Sequence, residues 1–100
     1  MKEIYLEGRR MTDRAAAHAE LKEKLTLPEY YGANLDALYD CLTEIGEETV
    51  VTFCHPGAML SALREYGCRL LMTMFEAEKE NSALHIIIGT HTKNRMEETE

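Results

Sequence analysis

No lysine or arginine stands between Lys24 and Arg64, and only His55 can carry positive charge in that stretch. Glu29, Asp36, Asp40, Glu44, Glu47 and Glu48 all fall within it. Across the 100-residue chain, 11 Lys and Arg face 18 Asp and Glu, a formal net charge of −7. Phosphate contacts require Lys and Arg, so this balance argues against direct nucleic acid binding. An acidic surface instead attracts basic proteins and is repelled by anionic membranes.

Other absences narrow the field further. Cys41, Cys54 and Cys68 form no CxxC pair and no framework spacing. They read as reduced thiols of a cytosolic protein, not as a disulfide scaffold or a metal site. Residues Met1 to Gly8 contain no long apolar run and no cleavage-like site, so no signal peptide is expected. Nothing approaches the length of a membrane span. A cytoplasmic location is the expectation. There is no Gly-rich phosphate loop, no HExxH and no Ser-His-Asp order, and His18, His55, His85 and His91 are scattered. No cofactor and no metal are expected, and His18 reads as a structural histidine inside a helix.

What is present organises into one domain. Ile4, Tyr5 and Leu6 suit a strand over residues 2–7, ended by Gly8. Thr12 or Asp13 can cap a helix over Arg14 to Leu25. Pro28 stops that helix, and Glu29 to Ala33 form a loop with Gly32 as the turn residue. Asn34 caps a second helix, where Leu35, Leu38, Leu42 and Ile45 make one apolar stripe and Gly46 is the stop. Val50 to Cys54 is a β-branched run that predicts a buried strand. Ala58 to Tyr66 predicts a short helix, separated by Gly67 from a longer one over Arg69 to Glu80. Leu70, Met74 and Ala77 form the longer helix's stripe, with Leu71 and Phe75 beside it. Met59, Met72 and Met74 read as core fillers. Leu84 to Ile88 is the third strand. Thr90 to Glu100 is polar and charged, so residues 1–89 are expected as the domain and 90–100 as a disordered tail. The order β-α-α-β-α-α-β predicts an α/β fold. Its core is a small three-stranded parallel sheet packed with about four helices.

The segment Leu27 to Leu42 is the most informative. It holds three tyrosines and three acids in sixteen residues, with no lysine or arginine. On a wheel at about 100° per residue, the leucine stripe takes one side of the second helix. Asp36, Tyr39, Asp40 and Thr43 gather on the other. Two carboxylates at i and i+4 repel each other by a few tenths of a kcal/mol. Asp36 recovers part of that at the helix N-terminus, and Asp40, a turn further in, gains little. A solvated helix face is the plain explanation. Exposed tyrosine beside aspartate also has the composition of a protein-binding patch, with Tyr30 and Tyr31 extending it.

The run L-P-E-Y-Y-G-x-N-L-D-A-L-x-D-C-L over Leu27–Leu42 resembles the signature of the barstar family, intracellular inhibitors of the secreted ribonuclease barnase. The likeness continues, more weakly, over roughly residues 1–89. It implies a barstar-like fold and a reversible 1:1 inhibitor of a guanyl-preferring, extracellular ribonuclease. By the resemblance, Asp40 enters the enzyme's active site in place of an RNA phosphate, and Asp36 meets basic groups at the rim. Tyr30 packs on the catalytic histidine, and Gly32, Asn34 and Leu35 touch the enzyme backbone. A carboxylate is a fair phosphate mimic because arginine can grip it with two parallel hydrogen bonds.

Two positions depart from the family pattern. Tyr39 stands where the family usually has tryptophan. Ala77 stands where it has an interface acid on the last helix, so either Glu76 or Glu78 substitutes or that contact is absent. The expected partner-binding set is therefore Tyr30, Tyr31, Gly32, Asn34, Leu35, Asp36, Tyr39, Asp40, Thr43 and Glu76. The expected partner is a secreted-type ribonuclease or a ribonuclease-like toxin with a basic active site; the alternative is a barstar-fold binding or regulatory domain with a different partner. An enzyme is not expected. Asp36 and Asp40 share one environment on one helical turn, whereas acid–base pairs need environments that push their pKa values apart. A Mg²⁺ or Ca²⁺ ion would need more oxygen ligands than these two supply.

Overall fold

A computed structural model describes residues 1–89; the expected tail, 90–100, lies outside the described residues. The elements are β1 (Lys2–Glu7), a short 3-10 turn (Gly8–Arg10), α1 (Arg14–Leu25), α2 (Leu35–Thr43), β2 (Thr49–Cys54), α3 (Pro56–Leu63), α4 (Glu65–Glu80) and β3 (Leu84–Ile88). The strands form one parallel sheet in the order β1-β2-β3. The register aligns Ile4 with Val51 and Val51 with Ile86. The α/β fold and its element order are as the pattern predicts.

Burial alternates along β2 and through the middle of β1 and the start of β3, while Ile88 at the end of β3 is exposed. Ile4, Leu6, Val51, Phe53, Leu84 and Ile86 face the core, while Tyr5 and Ile87 on the opposite face are exposed. The β2 run predicts a buried strand. Only its alternate residues are buried, because the apolar core lies against one face of the sheet. Leu21 and Leu25 of α1, Leu38 and Leu42 of α2, Met59 of α3 and Leu70, Met74 and Ala77 of α4 complete that core. Burying a side chain of this size stabilises the fold by about 1.5–3 kcal/mol relative to leaving it exposed. The two exceptions are Met72 and Phe75, which are exposed on α4.

Three helix boundaries differ from the pattern, the first being the start of α3 at Pro56 and not at Ala58. The break between α3 and α4 falls at Arg64, which takes a left-handed φ of 58°, not at Gly67. Gly67 lies inside α4 and is buried. A Cβ there would come within 2.7 Å of Met59 Sδ, so a larger residue would push the Met59 side chain aside where α3 packs on α4. Helix α2 ends at Thr43, leaving Ile45 beyond it. Between α1 and β1, the carboxylate of the buried Glu20 accepts the Glu7 N–H at 3.0 Å and a hydrogen bond from Lys24 Nζ at 2.9 Å. Among the described residues no helix is long and apolar enough to cross a membrane.

Candidate functional site

Helix α2 is held at both ends and along one side. Asp13 caps α1 in the same way that Asn34 caps α2. Asn34 Oδ1 accepts the Ala37 N–H at 2.7 Å, which satisfies one of the donors a helix start leaves open. At the far end, the side-chain amide of Asn81 donates to the Leu42 and Ile45 carbonyls, both at 2.9 Å. Leu38 and Leu42 are fully buried between these ends. What remains outward is the acidic side. Asp36 and Asp40 are exposed, and neither makes an ion pair among the described residues.

The loop before α2 presents one ring and withdraws the other. Tyr30 is 87% exposed. Tyr31 turns inward, half-buried, and its hydroxyl lies 2.6 Å from His18 Nδ1. His18 Nε2 lies 2.8 Å from the Tyr66 hydroxyl on α4, so the imidazole clamps the loop to two helices. His18 is 3% exposed. Burial, then the nearby Arg14 charge, hold its pKa below the ordinary histidine value. Burial also pushes the Tyr31 hydroxyl well above the usual tyrosine range. The left-handed backbone of this loop is at Ala33, with φ 55°, not at Gly32. That conformation costs a non-glycine residue about 1–2 kcal/mol. It aims the chain into the Asn34 cap.

The expected site residues therefore divide. Tyr30, Gly32, Asn34, Asp36 and Asp40 are exposed around the loop and α2. Leu35 is half-buried and leans on the core. Tyr39 does not share the outer face as the wheel predicts. It is half-buried and packs against the core from the flank of α2. Thr43 is half-buried, and its hydroxyl proton is shared between the Tyr39 and Asp40 carbonyls at 3.0 Å. Ala77 is fully buried, so the structure sets that position inside the core. Glu78 is committed to β3, where its carboxylate accepts the Ile86 N–H at 2.9 Å. Glu76 alone of that group is exposed and unpaired among the described residues.

A cleft of about 660 Å³ runs between the loop and α2. Pro28, Tyr30, Tyr31, Gly32, Asp40 and Cys41 line it, so Asp40 and Tyr30 share one surface depression. Burial, then the charges of Glu44 and Asp40, raise the Cys41 pKa, which makes its thiol a poor nucleophile at neutral pH. No group of three or more His, Cys, Asp or Glu among the described residues could hold a metal ion. On the other side, Asp36 borders a second cleft lined by Arg14 and Arg69. The sequence gives no sign that these arginines neighbour Asp36, since α1 and α4 bring them together only in the fold.

The geometry can be set beside known proteins. Residues 1–89 match the family model described as "Barstar (barnase inhibitor)". A Bacillus subtilis (strain 168) protein named "Putative ribonuclease inhibitor YrdF" is 51% identical over 43 residues. That match takes in 43% of this chain and 47% of the relative, so the chain spans about half the length of the curated relative it matches.

Proposed function

The chain belongs to the barstar family, and from that premise we propose that it inhibits a barnase-type ribonuclease in a reversible 1:1 complex. Helix α2 and the loop before it are the inhibitory surface. Asp40 enters the enzyme's basic phosphate site, Asp36 meets its rim, and Tyr30 supplies rigid apolar area beside them. Glu76 on α4 adds a further acid. The observation that carries this reading is the pair of exposed carboxylates, without an ion pair among the described residues, one turn apart on a helix that is otherwise firmly anchored. A rigid scaffold brings such charges to a partner without the entropy cost of ordering them on binding. Opposite charge speeds encounter and makes it salt-sensitive. The partner is an enzyme exported by the cell, and the complex protects the cell interior before export.

A barstar-fold regulatory domain with another partner is the second reading, motivated by Tyr39 and Ala77. Both side chains lean on the core, so these two departures leave Asp36, Asp40 and Glu76 on the surface. The first reading is therefore favoured. Its test is RNA cleavage by a panel of barnase-type ribonucleases, with and without this protein. Cleavage by at least one enzyme is expected to stop at an equimolar ratio, with slower capture at high salt. Undiminished cleavage by every enzyme at large excess overturns the reading.

A further inference from the structure

The cleft on the Asp36 side of α2 carries charge of the opposite sign to the rest of this surface. It encloses about 520 Å³, and Arg14, His18, Asn34, Asp36, Tyr66 and Arg69 are among the residues that line it. Among the described residues, Arg9 and Arg10 pair with Glu7 and Glu20, while Arg64 at the break between α3 and α4 pairs with no acid. Arg14 and Arg69 make no ion pair among the described residues, not even with Asp36 across the cleft.

Arg14 is nevertheless held. Its guanidinium carbon lies 4.1 Å from the centroid of the Tyr66 ring. Tyr66 is itself fixed by His18. Stacking of this kind orients the guanidinium plane and leaves its edge N–H groups free to donate. Arg69 follows Tyr66 by three residues on α4, which brings it to the same helical face. Two charged forks, one of them pre-oriented, thus open on a cleft whose opposite wall is the start of α2.

We propose that Arg14 and Arg69 receive a carboxylate, an aspartate or glutamate side chain on the rim of the inhibited ribonuclease. This rests on the inhibitory role of α2 argued above. A protein seated on Asp36 covers the adjoining cleft, because Asn34, Leu35 and Asp36 line it. The partner's rim then offers a basic group to Asp36 and an acid to the arginines. Such alternation fixes register, and it disfavours ribonucleases whose rim is basic throughout. A nucleic acid phosphate is the less favoured occupant, because the net charge of −7 repels it.

The sign of the effect makes the idea testable. Arg14→Gln with Arg69→Gln takes the net charge from −7 to −9. Were long-range steering the only force, a basic enzyme would bind this variant as well or faster. Filling of the cleft by a carboxylate predicts the reverse, a Kd raised about tenfold through faster dissociation, since charge-assisted hydrogen bonds are lost. The measurement uses the panel enzyme that the wild type binds most tightly. Arg69→Gln alone leaves the Arg14–Tyr66–His18 stack intact and is expected to weaken binding too, with an unchanged thermal midpoint. Unchanged or tighter binding of both variants overturns the cleft proposal. If Asp40→Ala weakens binding in that same experiment, the inhibitory role of α2 survives the loss. If no panel enzyme binds the wild type, that role fails and the cleft proposal falls with it.

Discussion

Asp40→Ala raises the Kd of the ribonuclease complex by about thirtyfold or more, the scale for truncating one partner of a desolvated interfacial charge pair, a range drawn partly from the barnase–barstar pair itself. Asp40 is exposed, and no cation within the free protein offers an ion pair among the described residues. Its removal therefore leaves nothing unpaired in the inhibitor, and the fold is unaffected. In the complex, the enzyme's phosphate-site cations would lose their counter-charge in a dry setting, which is where charge pairs matter most. Surface plasmon resonance or stopped-flow kinetics reads the result. Glu3→Ala is the control, since Glu3 is an exposed acid on β1, away from α2. It changes the net charge equally and is expected to alter only the association rate, and only slightly. Equal effects from the two substitutions would mean that charge acts at long range and that α2 has no special contact.

His18→Ala lowers stability by roughly 2–4 kcal/mol, from the cavity and from two tyrosine hydroxyls left without their partner. The clamp joins α1 to the loop through Tyr31 and to α4 through Tyr66. Its loss also frees the segment that presents Tyr30, so ribonuclease affinity drops with stability. The loss depends on pH in a direction that can be worked out. In the folded protein the His18 pKa lies below 6.5, because burial and Arg14 oppose the charged ring. Once unfolded, the same ring titrates near 6.5. Below that pH the unfolded chain takes up a proton that the folded one refuses, so wild-type stability falls as pH drops. The alanine variant lacks this contribution. The stability gap between the two proteins is therefore largest above pH 6.5 and narrows on acidification. Urea titrations from pH 7.5 to about 5 measure it. A gap that stays constant would show that His18 titrates alike in both states.

Local rules explain why much of this molecule can be read from its residues. The Asn34 cap depends on a side chain reaching three residues along, and the Leu38 and Leu42 anchors depend on helical spacing. Strand and helix limits for β1, α1 and β3 fall where the pattern puts them. Most of the misreadings come from contacts between distant segments. Gly67 looks like a helix break, yet it lies buried inside α4 against Met59 and Leu60 of another helix. Tyr39 reads as outward only when grouped with the acids; at about 100° per residue it lies about 40° from Leu35, at the edge of the leucine stripe, and there it is half-buried against the core. The His18 clamp joins residues 13 and 48 positions apart, which no motif spacing could reveal. The same holds for Arg14 and Arg69.

The central claim is that α2 occupies the place of an RNA phosphate. Competition tests it most directly. Isothermal titration of the inhibited ribonuclease with this protein is repeated at rising concentrations of a guanosine monophosphate that fills the enzyme's active site. The apparent Kd is predicted to rise linearly with nucleotide concentration, with no plateau once the nucleotide saturates the free enzyme and with stoichiometry held at one to one. An apparent Kd that does not move at saturating nucleotide would contradict the account, because the acidic helix and the phosphate would then occupy different sites.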